Sequence, residues 1–222
     1  MNNNTQKICK KLLLSFPKKE QKLFLQLTTP AKVQDYLNTI PQNFEYEGET
    51  CHSPLSVVKY KTAHCMEGAL LSTYILALHG IDSKLVHLQA TRPDDDHVIT
   101  IFKQGKYFGA LSKTNHGVLR YREPVYRSLR ELVLSYFHEY FLPNGQKTLY
   151  AYSVGMSPFI KGYSWITSIH DLWVLDHALD TVRHSTVINK YELKQCRKAD
   201  TLEIQMGTLT QWKKKNNIHR IQ

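Results

Sequence analysis

Cys65 has the most chemical promise in the chain: it stands where Lys61-Thr62-Ala63-His64 gives way to an apolar run that reaches His79. That run has no proline and helical spacing, so it predicts a helix with Cys65 at its N-terminus. A helix N-terminus carries partial positive charge and N–H groups without intrahelical acceptors, and both favour a thiolate over a thiol. A cysteine nucleophile needs that thiolate and a base to take its proton. The same N–H groups can stabilise the oxyanion that forms when a thiolate attacks a carbonyl. The commoner fate of one cysteine is a small buried hydrophobe, so Cys65 alone identifies nothing.

Its candidate partner is His97. Between the two lie the helix, Gly80 as its C-cap, a strand over 81–88 and a turn at Arg92-Pro93-Asp94-Asp95-Asp96. His97 opens a β-branched and aromatic strand running to Phe102, and Gln104-Gly105-Lys106 turns the chain back into Tyr107–Leu111. A helix followed by such a hairpin predicts an α+β fold, with the helix packed on an antiparallel sheet. The hairpin can return His97 to the N-terminus of the Cys65 helix. The chain has eleven histidines, so geometry alone selects this one weakly.

The flanking elements read more coarsely. Pro17 splits residues 5–27 into two short helices, and Thr29-Pro30 starts a third that Pro41 ends. Ser53-Pro54 starts a fourth. Residues 125–141 have helical spacing, 150–170 look irregular and aromatic, and helices follow over 169–182 and 187–196. The tail from Trp212 is basic and polar, as a frayed end would be. These readings divide the chain into a core with N-terminal helices over 1–145 and a mostly helical extension over 146–222.

The run from Cys65 through Glu67, Gly68 and Ala69 to the Gly80-Ile81 turn resembles the nucleophile helix of the transglutaminase-like superfamily, whose core is papain-like. The Asp96–Phe102 strand and the Gly105–Ala110 return are similar to that superfamily's histidine strand and its aromatic partner. The resemblance covers about residues 30–141 and, more narrowly, points to a bacterial subgroup. It implies Cys65 as nucleophile and His97 as base. Where relatives place an Asp to orient the histidine, the aligned residue here is Ser112. Asn115, whose amide oxygen can accept an imidazole N–H, is the favoured replacement, with Ser112 and Asp96 as the others.

Other patterns carry less. Asp94-Asp95-Asp96-His97 offers donors that divalent ions accept, but neighbours on a strand face opposite ways, so no metal is expected. Arg120–Arg127 interleaves arginine and tyrosine, which suits phosphate and bases but equally a solvated loop and helix start. The histidines and aspartates at 170–171 and 176–177 read as solvated helix residues. Cys9, Cys51, Cys65 and Cys196 are far apart with no CxxC pair, which excludes a zinc knuckle or a disulfide scaffold.

The totals bound the function. With 42% hydrophobic and 22% charged residues the chain should bury a core, and its longest apolar stretch is too short to span a membrane. A soluble, cytoplasmic protein is expected. The formal charge of +10 biases it toward acidic partners. The leading expectation is a cysteine-dependent acyl-transfer enzyme (an amidase, peptidase or cross-linking enzyme) acting on a protein or peptide without a cofactor. The alternative is an inactive scaffold that binds an acidic protein or nucleic acid.

Overall fold

The computed structural model describes residues 2–214. Four short helices come first: α1 (Asn3–Leu12), α2 (Lys18–Gln26), α3 (Pro30–Thr39) and α4 (Pro54–Tyr60). Prolines set their limits as the sequence requires. Thr29 and Ser53 cap α3 and α4 through their hydroxyls, each with a proline in the first turn.

These helices wrap α5 (Cys65–Leu78), in which every residue after Cys65 is buried. A helix apolar on all sides must be enclosed on all sides. Here α1, α3 and α4 cover one flank of α5 and the sheet covers the other. Leu70, Leu71, Ile75 and Leu76 are fully buried, and each such side chain contributes about 1.5–3 kcal/mol. Two hydroxyls fix its register on the sheet: Thr100 Oγ1 lies 2.8 Å from Ser72 Oγ and donates to the Ala69 carbonyl at 2.9 Å. Gly80, at φ +73°, turns the chain out of the helix.

The sheet begins with β1 (Ser83–Ala90), β2 (His97–Gln104), β3 (Tyr107–Leu111) and β4 (Arg122–Tyr126). After α6 (Leu129–Phe137) come β5 (Leu149–Ser153), α7 (Trp173–Thr181), β6 (His184–Thr186), α8 (Lys190–Gln195) and α9 (Thr201–Gly207). Strand order is β4-β3-β2-β1-β5-β6, with every described pairing antiparallel. Leu85, Val98, Phe102 and Leu111 pack toward α5, while Val86, Leu88, Ile99 and Ile101 pack toward Leu132, Val133 and Tyr136 of α6. The expected α+β class, a helix on an antiparallel sheet, is what the chain forms.

Three readings need correction. Residues 122–126 form a strand, not the start of the following helix, because Arg122 and Tyr126 pair with Ala110 and Phe108 of β3. The stretch after residue 145 is not merely a helical extension: β5 and β6 continue the same sheet, so the expected boundary runs through it. The tail is not frayed at its start either. Trp212 N–H donates to Asn115 Oδ1 at 2.8 Å, and its carbonyl accepts from Asn115 Nδ2 at 2.7 Å. The rest of the expected frayed tail, from residue 215, lies outside the described residues.

Candidate active site

Cys65 occupies the first position of α5 and is only half-buried, whereas Cys9 and Cys51 are buried. The residue before it caps the helix. Met66 N–H donates to His64 Nδ1 at 3.3 Å, and the Glu67 carboxylate reaches back to accept from His64 N–H at 2.9 Å. This is a capping box with an imidazole in place of the usual hydroxyl. The Thr50 carbonyl accepts from His64 Nε2 at 2.8 Å, so that nitrogen carries a proton.

His97, 8% exposed, opens β2. Its Nε2 lies 2.7 Å from Ser112 Oγ, which leaves Nδ1 as the nitrogen available to the sulfur. Cys65 shares one cavity lining with both imidazoles, and the rings of His64 and His97 are near enough to shift its titration. Burial alone would push the thiol up, but the bonds and charges of the two rings outweigh it and hold Cys65 well below the ordinary thiol range. Burial likewise opposes a charge on His64. The bond and charge of Cys65, with Glu67 and the Thr50 carbonyl, overcome it and raise His64 to about 10. Both directions favour a thiolate beside an imidazolium, a state in which His64 Nδ1 carries a proton and no longer accepts from Met66 N–H.

Glu67 anchors the second imidazole. It is fully buried, and its oxygens accept from Thr50 Oγ1 at 2.8 Å, His52 N at 3.0 Å and Asn43 Nδ2 at 3.2 Å besides His64 N. His64 Nε2 is 3.4 Å from the carboxylate and His52 Nδ1 is 3.0 Å from it. Burial raises the Glu67 pKa, but the His64 charge and these donors more than cancel it, so it stays ionised.

Asn115 does not stand behind His97. Its amide is bound on both sides by Trp212, and Ser112 takes the orienting place. Asp96 is engaged elsewhere too: its carboxylate accepts from Ala90 N at 2.7 Å and pairs with His87 Nε2 at 3.1 Å. Gln34 of α3 fixes Ser112 in turn. It accepts from Ser112 N at 2.9 Å and donates to Ser112 O at 3.0 Å, both buried bonds worth about 1 kcal/mol each. Gln34 is 78 residues away in sequence and has no motif, so nothing in the sequence singled it out. His64 was legible as a neighbour of Cys65, but its ring acquires a role only once the capping box forms.

Gly68, one turn into α5, sets how closely the end of β3 approaches the cysteine. A Cβ there would lie 2.2 Å from Lys113 Cβ. Gly68→Ala is therefore expected to push Lys113 and the adjoining Ser112 away from His97, at a cost of about 1–3 kcal/mol. Thermal melts and Cys65 alkylation rates check this; wild-type values in both would show that the contact is soft.

The remaining candidates are structural. The Arg122 guanidinium sits 4.1 Å from the Tyr136 ring centroid and 2.6 Å from Glu139, which ties β4 to α6. Asp94 and Asp96 bond to Thr148 and His87 and do not converge. On α7, Asp176, His177 and Asp180 bring one ligand atom each within 4.8 Å of one another, with two of the three residues exposed. Asp171 accepts from Cys51 N at 2.9 Å. Among the described residues no helix is long and apolar enough to cross a membrane.

A cavity of about 680 Å³ opens over this arrangement, and Cys65, His64, His97 and Lys113 all line it. Fold and site together define an α+β protein with a partly buried thiol and two imidazoles in one cavity at the mouth of a buried helix. Among solved structures the chain is similar to LapG of Legionella pneumophila. The EGTA-treated form matches at 15% identity and a TM-score of 0.37, over 49% of this chain and 70% of that one. A second LapG structure matches at 15% identity and 0.35, over 49% and 72%. No family model and no curated protein matches the chain.

Proposed function

We propose that the protein is a thiol-dependent acyl-transfer enzyme on a transglutaminase-like core, acting on amide or thioester carbonyls of a protein or peptide. The observation that carries this reading is the placement of Cys65, partly buried at the mouth of α5, in one cavity lining with His64 and His97. In the reaction, Cys65 Sγ attacks the carbonyl carbon. The oxyanion forms beside the N-terminus of α5, where a first-turn N–H has no helical acceptor. His97 gives its proton to the departing amine or thiol as the carbon–heteroatom bond breaks. The acyl-enzyme then passes to water, with His97 taking a proton back, or to an amine. His64, paired with Glu67, remains an imidazolium and lowers the cost of the thiolate in every unacylated state.

Mass spectrometry with p-nitrophenyl acetate tests the proposal. The expected result is one acetyl group on Cys65, formed in a burst of one equivalent of nitrophenol and absent from Cys65→Ala. If Cys65 acetylates no faster than the partly exposed Cys196, the inactive-scaffold reading takes its place. One feature favours that second reading: the group behind His97 is the neutral hydroxyl of Ser112 rather than a carboxylate.

A further inference from the structure

Lys113 is a charged side chain in the wrong place for a structural role. It is 2% exposed, although lysines are almost never fully buried without a partner. Its stem packs on Gly68. Its ammonium, with three protons to donate, has Gln42 Oε1 at 3.5 Å and the Trp212 ring centroid at 4.6 Å. Among the described residues no carboxylate comes within ion-pair reach of it. A buried cation normally demands such a partner.

The surroundings of Lys113 deepen the puzzle. Arg120 adds positive charge nearby, and its buried Nε has no hydrogen-bond partner. His116 and Lys214 line the same cavity. Glu45, Asp94, Asp95, Asp96 and Glu139 line it as well. The cavity lining carries charges of both signs, and Cys65 lies in it.

Resting on the thiol-enzyme reading, we propose that the cavity selects acyl donors bearing a free carboxylate, which docks on the Lys113 ammonium while the scissile carbonyl meets Cys65. A carboxylate supplies the missing counter-ion. A single negative charge matches a single ammonium. The donor class is thus a peptide terminus or an acidic side chain next to the bond that reacts.

Iodoacetate and iodoacetamide test this without a known substrate. Both alkylate a thiolate, and they differ by the carboxylate, so the ratio of their rates at Cys65 cancels the thiolate fraction. In the wild-type protein the ratio is expected to exceed that of free cysteine by about tenfold at low ionic strength. Lys113→Met should remove that preference and Lys113→Arg should retain it. A measurement on wild type alone guards against misfolding of the variants. Burial, aided by Arg120, lowers Lys113 to about 8, so the ratio should fall as the pH rises from 7 to 9. The other charged groups coupled to Lys113 are Cys65 and Glu67, both anionic across that range. A ratio equal to that of free cysteine, or one indifferent to Lys113→Met, overturns the proposal. Slow alkylation by both reagents, with a ratio still governed by Lys113, would instead sink the thiol enzyme and leave the anion site standing.

Discussion

Between pH 6 and pH 8 the alkylation rate of Cys65 by iodoacetamide is expected to change less than about threefold in the wild-type protein and to rise nearly 100-fold in a His64→Asn, His97→Asn double variant. An ordinary thiol with a pKa of about 8.5 gains thiolate almost tenfold per pH unit over this interval. Cys65 is expected not to, because its interactions with the His64 and His97 rings outweigh burial and lower its pKa. Asparagine at position 64 keeps a competent helix cap, so the comparison isolates the imidazole. The slope with pH is the proper readout, since a thiolate of lower pKa is also less nucleophilic and absolute rates mix the two effects. The single variants apportion the effect between the rings. A steep wild-type profile, or a flat one in the double variant, would refute the ion pair.

The same pair makes a claim about stability, and its two halves have opposite signs. His64 is raised to about 10, so its contribution is complete below the ordinary imidazole value of about 6.5 and is lost as the pH climbs through the folded value. Cys65 is depressed, so its contribution is complete above about 8.5 and is lost as the pH falls through its own folded value. The advantage of wild type over Cys65→Ala in denaturant melts is accordingly greatest between about pH 6.5 and 8.5, and shrinks on either side.

What could be read from the sequence divides along a physical line. Helix starts at Pro30 and Pro54, the turn at Gly80 and the hairpin at Gly105 depend on local backbone chemistry, and all fall where the residues put them. The placement of Cys65 at a helix mouth is local in the same sense. The strands after residue 120 are short, and what makes them strands is a partner. Arg122 and Tyr126 have β3, and Leu149 and Ala151 have β1. No window of sequence contains that information. The same reasoning explains Asn115. Its side chain could orient His97 only with a frayed tail, and Trp212 claims both ends of the amide. Ser112 wins the place behind the imidazole because Gln34, from a helix far earlier in the chain, pins its backbone there.

Glu67→Gln is expected to cost about 3–5 kcal/mol of folding stability, although it alters one atom of the side chain. The cost follows from the direction of the hydrogen bonds. The carboxylate oxygens receive protons from His64 N, His52 N, Thr50 Oγ1 and Asn43 Nδ2 in a fully buried site. An amide would replace one acceptor with a donor and set it against those donors, leaving buried polar groups unpaired. It would also strip the charge that supports the His64 imidazolium, so the Cys65 thiol should titrate closer to its ordinary range and the flat alkylation profile should steepen. Glu45→Gln is the matched control. Glu45 Oε1 lies 3.8 Å from His64 Nε2, but that carboxylate is a third exposed and water screens it, so the expected loss is below about 1 kcal/mol. Thermal melts and the pH dependence of alkylation measure both variants. If Glu67→Gln melts with the wild type and leaves the profile flat, then His97 alone sustains the thiolate, and the His64–Glu67 pair is a helix cap with no part in the chemistry.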